Sequence, residues 1–337
     1  MIILSDCLTE KVDEGCLKVA NSLTKRIKSA YPATIVISYE RRPKQSDLHM
    51  KLNKLFLNYS LLSLINKRKE SVLYIPFASN TKASAIRTWI LSRVAKRGLK
   101  VIFVLRFPMD KITKLFLRMS KAEIIALSKE SYQFYKQEIG SNTTYLKTGI
   151  DTIQFTPVSK EEKEILRKKY NVSPGQKVLL HVGHLKNGRN VDKLLNVDEK
   201  YHVFLVVSSV TESEKDAELR EKLLARSNTT IIDDYLEHIE EIYQIADVYF
   251  FPVQKSENCI DVPLSVLEAA ACNLPIVTTD YGELKVFKGE EGFCFISTFD
   301  ADTINEAINR MSECQECNNR RVVLEYDWDT SIKHLAI

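Results

Sequence analysis

Short apolar runs of strand length alternate with longer amphipathic segments along the whole chain. The longer segments, such as residues 14–27 and 82–96, have the spacing of helices packed on one face. Strands that alternate with helices predict parallel sheets with right-handed crossovers. The expected strands are residues 2–4, 34–38, 72–76, 101–105, 124–127 and 144–147 in the first half, and 178–182, 203–207, 230–232, 248–251, 276–278 and 293–296 in the second.

The alternation pauses once, at residues 149–157 (GIDTIQFTP), and a charged helix is expected at 160–170. A chain of 337 residues suits two domains of ordinary size. We therefore expect an α/β protein with two doubly wound Rossmann-like domains facing across a cleft. The expected boundaries are residues 1–152, residues 153–325, and a tail of residues 326–337 that packs back on the first domain.

The net charge of +4 conceals a strong asymmetry. Residues 1–150 contain 27 Lys and Arg against 11 Asp and Glu, a charge of +16, and the remainder carries −12. A basic first half is either an ordinary solvated surface or a face for anionic lipid or an acidic acceptor. Nucleic acid is not expected as a partner, because no basic motif interleaved with aromatic residues is present.

Membrane and compartment signals are weak. No apolar run reaches the roughly 18 to 20 residues of a membrane span, and the first residues do not resemble a signal peptide. Seven scattered cysteines fit a reduced, cytosolic protein. Residues 52–65 are apolar almost all round, which fits a buried crossover helix or a membrane-docking one. We expect a cytoplasmic protein that contacts the inner face of the membrane.

The most informative segment is residues 246–279, which predicts a strand, a polar loop, a short helix and a second strand. Ligands of open α/β sheets bind at such a loop-to-helix step. The free N–H groups near Leu264 and Ser265 would favour an anion such as a diphosphate. Glu268, one turn further on, suits the hydroxyl groups of a ribose. The segment therefore predicts a site for a nucleotide diphosphate.

A second loop supplies cations. A strand is expected to end at Gly183 and a helix to start near Val191, with His184, Lys186 and Arg189 between them and Lys193 in the first helical turn. Cations at the carboxyl end of a strand can neutralise a bound diphosphate.

Four segments resemble, in order, the retaining glycosyltransferases of family 4, also called group 1, which have the GT-B fold. They are Gly149-Ile150-Asp151 with Phe155 and Pro157; Val182-Gly183-His184-Leu185 with Arg189 and Asp192; Ala246-Asp247-Val248 with Pro252; and Pro263 to Glu268 with Ala269, Ala271, Leu274, Pro275 and Val277.

This resemblance implies transfer of a sugar, with retention, from a nucleotide-diphosphate donor to a saccharide or lipid-linked acceptor in glycan or cell-envelope polysaccharide assembly. The first domain would bind the acceptor and the second the donor. Glu268 would hold the ribose, Arg189 and Lys193 would stabilise the leaving diphosphate, and Gly15 would approach the phosphates. No cofactor and no metal are implied, and the Asp pairs at 300/302 and 327/329 are interpreted as surface residues.

The chain departs from the family pattern at the donor loop. The first glutamate of the family's pair is replaced by Ile260, with Asp261 one step later and Glu257 three earlier. Asp261 either substitutes for the glutamate or caps the following helix. The usual histidine of the first domain is Arg106, expected to bind acceptor or phosphate. Two alternatives remain: a non-catalytic GT-B protein that binds a nucleotide sugar or supports a partner transferase, which the missing first glutamate favours, and a sugar-nucleotide epimerase of similar fold.

Overall fold

The structure is a computed structural model that describes residues 1–10, 12, 14–39, 43–51, 57–106, 108–140, 142–185, 188–207, 214–254, 260–314 and 317–335. The chain divides into two compact units. The first unit comprises the described residues of Met1–Gly149, Cys259–Val262 and Trp328–Ile337. The second unit comprises those of Ile150–Asn258 and Pro263–Asp327.

The first unit is built on a parallel sheet of seven strands in the order β3-β2-β1-β4-β5-β6-β7. The strands are β1 (Ile2–Ser5), β2 (Ile35–Tyr39), β3 (Leu48–Met50), β4 (Val72–Ile75), β5 (Leu99–Phe103), β6 (Glu123–Ala126) and β7 (Thr143–Tyr145). Its helices are α1 (Gly15–Ala30), α2 (Tyr59–Arg68), α3 (Lys82–Val94), α4 (Lys111–Met119) and α5 (Lys129–Ile139), with α12 (Trp328–Lys333) near the C-terminus.

Burial and capping explain these elements. Every residue of β1 and of β4 is buried, as expected for central strands covered on both faces. Four helices of the first unit begin at side chains that accept a backbone N–H of the first turn: Asn58 for α2, Thr81 for α3, Asp110 for α4 and Ser128 for α5. The sequence therefore specifies both the apolar strands and the starts of the helices that cover them.

The second unit repeats the plan with six parallel strands in the order β10-β9-β8-β11-β12-β13. The strands are β8 (Lys177–Gly183), β9 (Tyr201–Val207), β10 (Thr229–Ile232), β11 (Val248–Phe251), β12 (Ile276–Thr278) and β13 (Phe293–Phe295). The helices are α6 (Lys160–Lys169), α7 (Glu214–Leu224), α8 (Glu240–Ile245), α9 (Leu264–Ala271), α10 (Ala301–Ser312) and α11 (Asn319–Val323).

Both sheets have the strand order of a doubly wound domain, with the reversal between β1 and β4 in one and between β8 and β11 in the other. The prediction of two Rossmann-like domains is confirmed. Two differences are local. The short edge strand β3 was not expected, and the helix expected near Val191 is a 3-10 helix, Val191–Asn196.

The C-terminal helix α12 lies in the first unit. Trp328 is almost fully buried, and its indole lies over Gly149, where an added Cβ would come within 2.5 Å of the ring. Asp329 pairs with Arg26 of α1 at 2.9 Å. The glycine that opens the 149–157 segment is therefore required by the packing of a tryptophan far along the chain.

The apolar segment 52–65 is only partly described, since residues 52–56 lie outside the described ranges. Helix α2 begins at Tyr59, and it buries Leu61 and Ile65 while Tyr59 is exposed. The part that the structure describes thus packs as a crossover helix. Within the described ranges no helix has both the length and the apolar character needed to cross a bilayer.

Candidate functional site

The loops that follow β8 and β11 leave from neighbouring strands at the reversal point of the second sheet. Ligands of doubly wound sheets bind outside the carboxyl ends of the strands at this point. Asn190 ties the two loops together, because its side-chain amide donates to the carbonyl of Pro252 at 2.9 Å. Its backbone is left-handed, with φ of 56°, a conformation that asparagine tolerates well.

Helix α9 is the next helix along the chain after β11. Pro263 is its N-cap residue and supplies no side-chain hydrogen bond to the first turn. The first N–H groups of a helix have no partner within it, so those of Leu264 and Ser265 are available to an anion. Of the eight residues of α9, all of them described, Ser265 alone is not buried. The expected helix start therefore exists, and Ser265 is its accessible side chain.

Glu268 is buried inside this helix, with only 3% of its surface exposed. The Tyr243 hydroxyl of α8 donates to its Oε2 atom at 2.8 Å. Burial, reinforced by this carboxylate, raises the pKa of Tyr243 well above its usual range, so the hydroxyl keeps its proton and remains a donor. The ring of Phe155 packs edge-on against Tyr243, with centroids 5.6 Å apart.

Tyr243 was missed by sequence reasoning. It stands 25 positions before Glu268, in a different helix, α8, so no local spacing links the two. Within the 149–157 segment, Phe155 therefore has a structural role, because its side chain supports the tyrosine that orients Glu268.

Arg189 and His181 lie close to the backbone at Gly183, the end of β8. A Cβ at Gly183 would come 3.2 Å from His181 Nε2 and 3.4 Å from Arg189 Nη1. His181 is buried, and its Nδ1–H donates to the carbonyl of Phe250 at 2.8 Å, which leaves Nε2 as an acceptor. Burial lowers the pKa of His181 to about 4, and the positive charge of Arg189 acts in the same direction.

The other basic residues of this loop are Lys193, His184 and Lys186. Lys193, in the 3-10 helix, forms an ion pair with its neighbour Asp192 at 2.8 Å on the surface. His184 is half-buried. Lys186 lies outside the described residues. The structure thus brings Arg189 and Gly183 together at the end of β8, and it shows Lys193 engaged with a carboxylate.

Asp261 belongs to the first unit. Its Oδ2 accepts hydrogen bonds from the hydroxyls of Ser128, at 2.7 Å, and Ser131. Its Oδ1 accepts from Arg106 at 3.3 Å. The interpretation of Asp261 as the cap of the following helix is wrong, because Pro263 occupies the cap position and both Asp261 oxygens are bound elsewhere. Glu257, the other candidate carboxylate, lies outside the described residues.

Arg106 is held on three sides. Besides Asp261 it pairs with Glu130 at 3.5 Å, and its guanidinium lies 5.7 Å from the ring centroid of Phe134. This geometry fixes a cation at the carboxyl side of the first sheet. Ser128 and Ser131 were not predicted from the sequence, because nothing in their surroundings marks them as partners of a residue 133 and 130 positions away, respectively.

Ile260 and Gly15 are neighbours in the first unit. A Cβ at Gly15, the first residue of α1, would lie 3.1 Å from Ile260 Cδ1. Ile260, which stands where the family has its first glutamate, therefore packs against Gly15, the glycine that is expected to approach the phosphates.

In the acidic pairs at 300/302 and 327/329, three of the four aspartates cap a helix or contact another side chain. Asp300 caps α10, Asp327 accepts from the Thr152 hydroxyl at 2.6 Å, and Asp329 pairs with Arg26.

Comparison with known proteins places this site in a family context. Residues 162–325 match the model of the family Glycosyl transferases group 1. A curated relative, the putative teichuronic acid biosynthesis glycosyltransferase TuaC of Bacillus subtilis, is 23% identical over 196 residues. That match covers 57% of this chain and 47% of TuaC, so the chain spans about half the length of this relative.

Solved structures match over nearly the whole chain. A glycosyltransferase from Rickettsia africae has a TM-score of 0.79 at 13% identity and covers 98% of this chain and 95% of its own. HepE of Anabaena in complex with UDP has a TM-score of 0.74 at 14% identity, with 99% and 98% covered. At such identities the likeness shows the fold. The family match is confined to residues 162–325, which, apart from Cys259–Val262, lie in the second unit.

Proposed function

We propose that this chain is a retaining, metal-independent glycosyltransferase of family 4. It would move a sugar from a nucleotide-diphosphate donor to a saccharide or lipid-linked acceptor in glycan or cell-envelope polysaccharide assembly. HepE has been crystallised with UDP and with UDP-glucose, and a uridine nucleotide is accordingly the first donor to test. TuaC, whose name assigns it to teichuronic acid biosynthesis, supports an envelope polysaccharide as the product.

One observation carries the proposal: a buried glutamate held by a tyrosine, one turn inside the helix that follows β11, a strand at the reversal point of the second sheet. The amide-rich helix start suits the diphosphate, and the carboxylate of Glu268 suits the ribose hydroxyls. Gly183 and His184 would complete the donor site, with Arg189 and Lys193 beside the phosphates. In the first unit, Gly15 would approach the phosphates and Arg106 would bind the acceptor or a phosphate.

In the proposed reaction the acceptor hydroxyl attacks on the face from which the diphosphate leaves. A leaving phosphate oxygen takes the acceptor proton, so no protein nucleophile is needed. The chain then contributes positioning and stabilisation of the developing negative charge. Arg189, Lys193 and the N–H groups of Leu264 and Ser265 are the groups that would supply this stabilisation.

The first test is the variant Arg189→Ala. Loss of one charge-stabilising contact typically costs about 3 kcal/mol, or roughly a hundredfold in rate. We expect turnover with a productive donor to fall about tenfold or more, with an unchanged melting temperature. Arg321→Ala is the matched control, since Arg321 is an exposed arginine of the same unit paired with Glu290. Equal activity of the two variants would remove Arg189 from the mechanism.

The donor is identified by a thermal-shift screen of nucleotide sugars. A ligand that binds only the folded chain raises its melting temperature. The variant Glu268→Gln should lose the shift, because an amide is a weaker acceptor for two ribose hydroxyls than a carboxylate.

The basic first unit is proposed to face an anionic membrane, with the protein cytoplasmic and peripheral on the inner face. Sedimentation with neutral and with anionic vesicles tests this. Binding to anionic vesicles should be tighter and should weaken as salt rises. Equal partitioning to both vesicles would reject the electrostatic part of the proposal.

One observation favours a second candidate, a non-catalytic GT-B protein that binds a nucleotide sugar or supports a partner transferase. Ile260 stands where the family has its first glutamate, and the neighbouring Asp261 is occupied by Ser128, Ser131 and Arg106. A donor that binds tightly but is neither transferred nor hydrolysed would identify this candidate. If Asp261 instead positions the sugar, Asp261→Asn should lower kcat more than Ser131→Ala does.

A further inference from the structure

The imidazole of His181, near the carboxyl end of β8, is held by the neighbouring strand β11. Its Nδ1–H donates to the carbonyl of Phe250 at 2.8 Å, and its ring stacks on that of Phe251 with an interplanar angle of 21°. The residue is 1% exposed. These contacts fix the orientation of the ring and its tautomer, in which Nε2 carries no proton and is an acceptor.

This Nε2 atom is a buried acceptor to which the described residues donate no hydrogen bond. Buried polar atoms of folded proteins nearly always have a partner, which is a protein group, a water or a ligand. An acceptor left open near the reversal point of the second sheet therefore points to a donor that reaches it in the working protein. The group that donates is identified by what lies beside Nε2.

Gly183 keeps the space beside this nitrogen open. A Cβ at position 183 would lie 3.2 Å from His181 Nε2 and 3.4 Å from Arg189 Nη1. The imidazole acceptor and the guanidinium therefore border the same small space. One water in that space is enough to connect them where they do not meet directly, whereas a side chain at position 183 would fill it.

The two groups are also complementary in their chemistry. A guanidinium has only donors and stays charged at all ordinary pH values, whereas a neutral imidazole offers one nitrogen as an acceptor. Burial lowers the pKa of His181 to about 4, and the charge of Arg189 acts in the same direction. At neutral pH His181 is therefore uncharged, and it can receive an N–H of Arg189 without placing a second positive charge beside it.

We propose that His181 is a positioning residue for Arg189: its Nε2 accepts a hydrogen bond from the guanidinium, directly or through one water in the space beside Gly183. The guanidinium carries its N–H donors in a rigid planar fork, so holding one of them sets the direction of the others. The inference rests on the proposed function for the purpose of Arg189, which is to stabilise the leaving diphosphate. The contact itself is testable without any substrate.

The contact is tested by 15N NMR of the ligand-free chain labelled at histidine. The chain has six histidines, and the resonances of His181 are those that His181→Asn removes. We expect a neutral ring with its proton on Nδ1. In Arg189→Ala the Nε2 resonance should move toward that of a free acceptor while the Nδ1 resonance stays in place. The matched control Arg321→Ala, which removes an exposed arginine of the same unit, should move neither resonance. An Nε2 resonance that is unchanged in Arg189→Ala, or a proton on Nε2, would overturn the proposal.

Positioning is measured by the affinity for UDP, determined by calorimetry, of two variants at position 181. His181→Asn keeps an amide N–H for the Phe250 carbonyl but has no atom at the place of Nε2, so it should bind UDP several-fold more weakly than the wild type. His181→Gln brings its amide oxygen toward the place of Nε2 and should recover most of this loss. In an Arg189→Ala background neither substitution should weaken binding further, because the group that His181 orients is gone. A histidine with only a structural role would give the same loss in both backgrounds, and that result would reject the proposal.

The two measurements separate this inference from the proposed function. If no nucleotide binds the wild type, the proposed function fails, and the NMR shift still decides whether His181 holds Arg189. If UDP binds and Arg189→Ala weakens its binding, but His181→Asn binds as tightly as the wild type, the proposed function stands and the inference is rejected.

Discussion

At the scale of single residues, Tyr243 is one contact that holds Glu268 in place. The variant Tyr243→Phe keeps the ring that packs on Phe155 and removes only the hydroxyl that donates to the buried carboxylate. A buried acceptor that loses its donor costs about 1–3 kcal/mol, so we expect that loss in unfolding free energy. We also expect a several-fold weaker nucleotide affinity, because Glu268 is no longer oriented.

The control for this prediction is Tyr201→Phe. Its hydroxyl donates to Asn309 at 2.8 Å in the same unit, away from Glu268. This variant should also lose stability but should keep its affinity for the nucleotide. If calorimetry gives both variants the same nucleotide affinity, Tyr243 has only a structural role.

His181 predicts a pH dependence of stability. Its pKa is lowered from 6.5 to about 4 in the folded chain, so the unfolded chain takes up a proton first as pH falls. The stabilisation is fully present above pH 6.5 and is lost as pH falls toward 4. A shift of this size corresponds to about 3 kcal/mol. Denaturant unfolding at pH 7 and at pH 4.5 should show most of this loss for the wild type.

The variant His181→Phe separates the pH dependence of stability caused by His181 from that caused by the carboxylates. It cannot titrate, so its unfolding free energy should fall less over the same pH interval than that of the wild type. His202→Phe serves as a second variant, because His202 is only half-buried and burial lowers its pKa less drastically. An identical pH dependence for the wild type and His181→Phe would show that His181 is charged or accessible when folded.

At the scale of elements, helix α12 packs within the first unit through the contact between Trp328 and Gly149. The variant Gly149→Ala places a Cβ within 2.5 Å of the indole, and the ring must move. Such overpacking typically costs about 1–3 kcal/mol. In a Trp328→Ala background the same change should cost clearly less, since the obstructing ring is gone. Denaturant unfolding of the four proteins gives this coupling directly, and additive effects would mean that the two residues do not contact.

Most strands could be predicted from the sequence, because buried parallel strands are continuous apolar runs. At residues 248–251 and 276–278 the predicted and observed strands coincide. It failed at β3, because a three-residue edge strand that is partly exposed has no apolar run to mark it. The start of α9 and Glu268 were found from local pattern. Tyr243, Ser128 and Ser131 were not, because each acts on a residue brought close only by folding. The role of Asp261 as a cap was wrong for the same reason: its partners are distant in sequence.

At the scale of the whole molecule, the charge asymmetry separates two proposed roles. The groups proposed to bind the donor, Glu268, Arg189 and the start of α9, belong to the acidic second unit, and the excess of basic residues belongs to the first unit. A bound diphosphate would meet local N–H groups and a guanidinium within an otherwise acidic half, and an anionic membrane would meet the basic unit.

Hydrogen exchange measured by mass spectrometry tests this division in one experiment. UDP should slow exchange at the N-terminal turn of α9, where the N–H groups of Leu264 and Ser265 would bind the diphosphate. Anionic vesicles should instead slow exchange within the first unit and leave α9 unchanged. The variant Glu268→Gln should lose the footprint of UDP and keep that of the vesicles. Protection of α9 by vesicles would mean that one surface serves both ligands, and the assignment of donor and membrane to separate units would be wrong.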